Sequence, residues 1–178
     1  MKISPALKRK IKKIRLIMMD IDGVMTDGTL FMGPEGEEYK GFNSRDGHGV
    51  RMGQRAGLGF GILTGRESDV VRHRAANLGI DIVIQKSWDK GSDFLRIVEK
   101  LHLQPAEVAF VGDDVVDIPA MLHSGLGVAV ADAQPEVKKI ADYTTSASGG
   151  RGAVREVIEL IMKTQGTWEE EMKRYRIK

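Results

Sequence analysis

The sequence predicts an α/β fold, a Rossmann-like parallel sheet with helices on both faces, a β-hairpin flap and no large cap domain. Two observations carry this. Short continuous apolar runs recur along the chain and stop abruptly at polar residues, as strands buried on both faces do. Helical periodicities fall between them, and that alternation builds right-handed βαβ units. Size agrees, because 178 residues at 42% hydrophobic and 29% charged make one soluble domain, 1–178, long enough to build a core without staples.

The first run, Leu16–Met19, ends at Asp20. Residues 29–43 then break the rhythm: Thr29–Met32 and Glu38–Phe42 flank Gly33-Pro34-Glu35-Gly36, which is the signature of a hairpin inserted as a flap. Phe60–Leu63 ends at Thr64, and Val71, Ala75 and Leu78 mark a helix closed by Gly79. Ile82–Ile84 follows, then a helical set of Phe94, Ile97, Val98 and Leu101. Val108–Val111 ends at Gly112, Leu126–Val130 ends near Ala131, and Val154, Val157, Ile158 and Ile161 mark the last helix. Residues 166–178 form a charged tail in which Trp168 is a candidate docking side chain for a neighbouring subunit, whereas Trp88 is expected to pack near the third strand.

Composition excludes several classes. There is no cysteine, hence no disulfide framework, thiolate metal site or cysteine nucleophile. No apolar run reaches the length of a membrane span, and no signal peptide follows the basic start, so the expectation is a cytoplasmic protein without a membrane partner. The net charge of +2 hides seven Lys/Arg and no acid in residues 1–15, which leaves 20 basic against 25 acidic residues elsewhere. No aromatic residue interleaves these charges to stack on bases, and the arm reads as a solvated leader helix with no nucleic-acid partner.

In open parallel sheets, ligands bind beyond the carboxyl ends of the strands. The residues there are Asp20-Ile21-Asp22-Gly23, Thr64-Gly65-Arg66, Lys90, and Gly112-Asp113-Asp114 with Asp117. Five gathered carboxylates need a counter-cation. Oxygen-only donors without a histidine cluster select a hard ion such as Mg²⁺. The Thr64 hydroxyl, the Gly65 N–H at a helix start and a mobile Lys90 ammonium suit the equatorial oxygens of a transferring phosphoryl group. Each residue alone has a plain structural reading as a cap, a turn or a surface charge, but four coinciding strand ends do not.

These motifs, Asp20–Asp27, Leu63–Arg66, Lys90 and Gly112–Asp117, occur in the order found in the haloacid dehalogenase superfamily of phosphatases, which the chain resembles. The resemblance implies that Asp20 is the nucleophile and forms an aspartyl-phosphate, and that Asp22 is the acid/base. It further implies Mg²⁺ on Asp20, the Asp22 carbonyl and Asp113, with Asp114 and Asp117 holding its waters. Phe42–Arg51, Thr64-Gly65-Arg66 and Gly149–Glu156 extend the likeness to the family of 3-deoxy-D-manno-octulosonate 8-phosphate phosphatases, which serve lipopolysaccharide precursor synthesis. That family implies a homotetramer in which the flaps pack together and a neighbour's tail covers the site. It also implies a phosphorylated sugar acid held by Asp22, Asn43, Ser44, Arg45, Asp46, Gly47, Arg51, Gly65, Arg66, Arg74 and Lys90. Arginine forks suit its carboxylate and phosphate.

Ser44 and His48 depart from the family pattern. A glutamate in place of Arg66 would instead resemble phosphatases of nonulosonate 9-phosphates, the alternative substrate class. An alternative of another class is a receiver-like or regulatory phospho-binding module, which has a similar acid, Thr and Lys set in another sequence order.

Overall fold

The computed structural model describes residues 3–176. Six parallel strands form the sheet: β1 (Leu16–Met19), β4 (Gly59–Leu63), β5 (Ile82–Ile84), β6 (Val108–Gly112), β7 (Leu126–Ala129) and β8 (Tyr143–Thr144), in spatial order β5-β4-β1-β6-β7-β8. β1 is central, with Leu16–Met19 in register with Gly59–Ile62 on one side and Val108–Val111 on the other. All four of its side chains are buried, which is why the strand reads as an unbroken apolar run. The expected strands are all present, and β8 is a short edge addition. β2 (Phe31–Met32) and β3 (Glu38–Tyr39) pair antiparallel as the flap.

α2 (Ser44–Arg55), α3 (Asp69–Leu78) and α7 (Ala153–Gln165) pack on one side, while α4 (Lys90–Lys100), α5 (Ile118–His123) and α6 (Pro135–Ile140) follow the strands on the other. α2 carries no helical period visible in the sequence because Gly47, Gly49 and Gly53 interrupt it, each costing about 1 kcal/mol of helix propensity relative to alanine. Packing offsets that cost. A Cβ at Gly49 would press on Arg155 and Ile158 and one at Gly53 on Phe60 and Ile158, so these glycines let α2 lie close against α7 and β4.

The basic start is only partly a solvated helix. Ser4 caps α1 (Pro5–Ile11), and Ile11 and Ile14 enter the core. Lys10 pairs with Asp142, Arg15 pairs with Glu107, and Gln165 donates to the Ile11 and Ile14 carbonyls. The tail folds back on its own domain: Glu171, in α8 (Trp168–Lys173), pairs with Arg55, and the Tyr175 hydroxyl lies 2.9 Å from His48 Nε2. Trp168 lies beneath Arg155 and Lys163 of the same chain. Trp88 does not pack at the β5 end as expected; it is 88% exposed.

Candidate active site

The loops after β1, β4, β5 and β6 meet where the strand order reverses around β1, the crevice in which open α/β sheets bind ligands. Asp20 follows β1 directly, and its N–H donates to Val111 O of β6 at 3.1 Å. Its Oδ1 accepts from Ile21 N at 2.7 Å and its Oδ2 lies 2.9 Å from Lys90 Nζ. Lys90 opens α4, where Asp89 caps the helix by accepting from Ser92 N.

The ammonium of Lys90 is not mobile, contrary to expectation. It is buried and donates to Asp117 Oδ1 at 2.6 Å, because an ammonium inside the protein must be paired. Burial alone would lower its pKa, but Asp20 and Asp117 outweigh burial and hold it above its ordinary value.

Asp117 is fully buried, and its Oδ2 accepts from Asp113 N at 2.9 Å and Asp114 N at 3.3 Å. It therefore fixes the β6 loop as well as Lys90. Burial and the charge of Asp20 push its pKa up. Asp20, Asp113 and Asp117 each place a carboxylate oxygen within 4.8 Å of the others, and Asp113 Oδ1 is buried without a hydrogen-bond partner among the described residues. An orphaned anionic oxygen in an all-oxygen cluster fits a hard divalent cation. Burial, then the charges of Asp117, Asp20 and Asp114, push the Asp113 carboxyl up to about 8. Asp114 is exposed and its Oδ1 accepts from Val115 N.

Thr64 is buried at the end of β4; its N–H donates to Ile84 O and its carbonyl accepts from Ser87 N. These bonds tie it to the loop that leads to Lys90; Gly65 comes next but, contrary to expectation, opens no helix, because α3 begins only at Asp69. Asp22 turns away from the acidic cluster, and its carboxylate faces Lys40 and Arg66. Gly23 follows with φ +90°, and a Cβ there would overlap the Asp113 carboxylate. Only glycine meets both demands.

The loop at Gly149-Gly150 backs this turn. Gly150 N donates to Val24 O, and a Cβ at Gly149 would overlap the Gly23 carbonyl. Gly149→Ala is therefore expected to destabilise the protein by about 3 kcal/mol through overpacking against backbone, as a lowered midpoint in urea unfolding.

The residues proposed for the sugar acid divide. Arg66 stands at the mouth, donating to Glu38 Oε1 at 3.0 Å. Asn43 caps α2, accepting from Arg45 N and donating to Gly150 O. Asp46 is buried and accepts from Gly152 N and Arg155 N; burial raises its pKa and those N–H groups oppose the rise. Both residues thus fasten α2 to the loop that begins α7.

Ser44 and Arg45 are exposed on the first turn of α2. Gly47 gives room to Arg74, which lies over the Phe42 ring and donates to Asn77 Oδ1. Arg51 is apart from the crevice and donates to Asn77 O at 2.6 Å. Sequence reasoning did not select Lys40 and Glu38. Their two-residue spacing puts both side chains on one face of a strand, and that face meets Asp22.

Residues 67–158 match the family described as haloacid dehalogenase-like hydrolase. The chain is 46% identical over 168 residues to the 3-deoxy-D-manno-octulosonate 8-phosphate phosphatase of Salmonella typhimurium, covering 94% of this chain and 89% of that one. It is similar to the crystal structure of the phosphatase of the same name from Yersinia pestis, with 42% identity, TM-score 0.91 and coverage of 94% and 90% of the two chains. The enzyme of that name from Moraxella catarrhalis, solved with a magnesium ion, a phosphate ion and a KDO molecule, gives 36% identity, TM-score 0.93 and coverage of 95% and 97%.

Proposed function

The chain belongs to the haloacid dehalogenase-like hydrolases, in the family of the 3-deoxy-D-manno-octulosonate 8-phosphate phosphatases, and on that footing we propose that it hydrolyses 3-deoxy-D-manno-octulosonate 8-phosphate to the free sugar acid and phosphate. It is a phosphoric monoester hydrolase with Mg²⁺ as cofactor. The observation that carries the reading is the meeting of Asp20, Lys90, Asp113 and Asp117 at the crevice beyond β1, with Asp113 Oδ1 unpartnered.

In this reading the Asp20 carboxylate attacks phosphorus and the bond from phosphorus to the sugar oxygen breaks. Asp22 gives its proton to the leaving alkoxide, then removes a proton from the water that splits the aspartyl-phosphate, so that the Asp20 carboxylate is regenerated and phosphate is released. Lys90 and Thr64 neutralise the equatorial phosphoryl oxygens. Asp20, the Asp22 carbonyl and Asp113 would hold Mg²⁺, with Asp114 and Asp117 in support. When bound, the ion supplies charge neutralisation for the phosphoryl group and its nucleophile. Arg66, beside Asp22 at the mouth, is the cation for the sugar carboxylate, and Arg74, Asn43, Ser44, Arg45, Asp46, Gly47, Gly65 and Arg51 complete the proposed substrate set.

The enzyme acts as a cytoplasmic homotetramer in this reading. Supporting the assembly, Phe31, Met32 and Tyr39 leave apolar surface exposed on the flap. No helix among the described residues is long and apolar enough to cross a membrane. Light scattering is expected to give four copies, and a monomer at working concentration would remove the assembly.

A panel of phosphorylated sugars with Mg²⁺ tests the substrate. The highest kcat/KM is expected on 3-deoxy-D-manno-octulosonate 8-phosphate, and a preference for a nonulosonate 9-phosphate would overturn the assignment.

A further inference from the structure

The flap carries more than apolar surface. Glu38 and Lys40 are two residues apart on its second arm, so both side chains point to one face while Tyr39 points to the other, where it is exposed. The Lys40 side chain is completely buried, with its ammonium between Glu38 Oε1 at 3.1 Å and Asp22 Oδ1 in direct contact. Arg66, arriving from the β4 loop, donates from Nη2 to the same Glu38 oxygen at 3.0 Å and holds Nε 3.7 Å from Asp22 Oδ2. Glu38 thus gathers two cations, and each takes one oxygen of Asp22.

Asp22 receives no comparable support from its own loop. That turn is closed by Val24, Met25 and Thr26 N–H groups on Ile21 O and by the Thr26 hydroxyl, which accepts from Gly23 N and Gly28 N. Lys40 and Arg66 are the only side chains paired with the Asp22 carboxylate among the described residues. A free carboxylate at a loop tip rotates about χ1 and χ2, whereas one hydrogen-bonded at one oxygen and ion-paired at the other is restricted in direction.

We infer that Lys40, seated by Glu38, is a positioning residue that aims Asp22 at the leaving oxygen of the substrate. The inference rests on the phosphatase reading above and adds a role for the flap within its own subunit. Lys40 acts through Asp22 and touches neither phosphorus nor nucleophile. Its burial makes the arrangement robust, since an ammonium released from both carboxylates inside the protein would be strongly unfavourable.

The test exploits the leaving group. The sugar alkoxide needs a proton as it departs, but the phenolate of p-nitrophenyl phosphate departs without one. For both substrates kcat/KM covers only the steps through alcohol release. In Lys40→Met the ratio of kcat/KM for 3-deoxy-D-manno-octulosonate 8-phosphate to that for p-nitrophenyl phosphate is expected to fall by about 10²-fold, within the range of lost general-acid help. Lys40→Arg should restore part of the ratio, and Glu38→Gln should lower it in the same direction by less.

An unchanged ratio, with both substrates losing equally, would overturn the inference by making the flap contact merely structural. A rise in KM for the sugar phosphate with kcat intact would overturn it by making Lys40 a substrate contact. If Lys40→Met does not fold, the ratios for Lys40→Arg and Glu38→Gln decide by the same criteria. Wild-type protein that releases phosphate from neither compound would remove the functional reading, and the inference with it.

Discussion

Asp20→Asn is expected to abolish phosphate release while leaving the fold intact, a loss on the order of 10⁴–10⁶-fold. An amide cannot form the acyl-phosphate. The substitution is nearly isosteric, and its oxygen can still accept from Ile21 N, the bond that now holds Oδ1 at 2.7 Å. Lys90 loses the Asp20 oxygen but retains Asp117 at 2.6 Å. One negative charge also leaves a cluster in which Asp113 and Asp117 already repel Asp20, so thermal unfolding should not shift downward by more than a few degrees. Phosphate release at wild-type rate from a folded Asp20→Asn protein would remove Asp20 as the nucleophile.

Asp113→Ala is expected to reduce turnover by more than about 10²-fold by removing the carboxylate best placed for the cation. Titration calorimetry should show Mg²⁺ affinity lost in parallel. Ca²⁺ should inhibit the wild-type enzyme, because its larger and looser shell misplaces nucleophile and phosphate.

The pH dependence has a definite sign. Asp113 is held up to about 8 in the protein without its ion, against an ordinary value of 3.8, and metal binds the ionised form. Below about 8, Mg²⁺ binding must therefore release a proton, and affinity should climb with pH until that region is passed. For stability, the folded state binds this proton more tightly than the unfolded state. The metal-free protein should then lose stability as pH rises from the unfolded value through the folded one. Asp113→Ala should flatten that decline, and Mg²⁺ should oppose it. Melting curves between pH 5 and 9 that are identical for wild type and Asp113→Ala would contradict this account.

Strand ends were the most legible part of the molecule, for a physical reason. A parallel strand covered on both faces has to be apolar throughout, so the first carboxylate after Met19 or the first glycine after Val111 marks the rim of the sheet. Asp20, Thr64 and Asp113 could be named because each stands at such a boundary, and Lys90 because it opens the helix that follows β5. α2 was illegible because its glycines serve contacts with α7 and β4, which leave no trace in a local pattern. Asp46 is similar: it reads as a polar residue available to a ligand, yet its carboxylate is engaged by two N–H groups more than a hundred residues away. Lys40 and Glu38 were not selected at all, because only the folding of that hairpin over Asp22 gives them meaning. Trp88 is exposed where packing was expected and Trp168 packs within its own chain where docking was expected, since aromatic character alone does not say which side of a helix start or tail meets the body.

The position of β1 at the centre of the sheet also bears on how the chain comes into being. β1 is the first strand synthesised, but its partners β4 and β6 lie far along the chain. At about 5–20 residues per second, Leu16–Met19 waits for several seconds with the edge that β6 covers still open before Val108–Gly112 leaves the ribosome. A nascent chain arrested before Gly112 cannot complete the middle of its sheet, and it lacks Asp113 and Asp117 altogether. Such pairings between distant segments slow folding and give chaperones a defined early target in the segment that ends at the nucleophile. They also bring the chemistry into existence late: a truncated or stalled product carries Asp20 and Asp22 without the partners that would let them act on cellular phosphate esters.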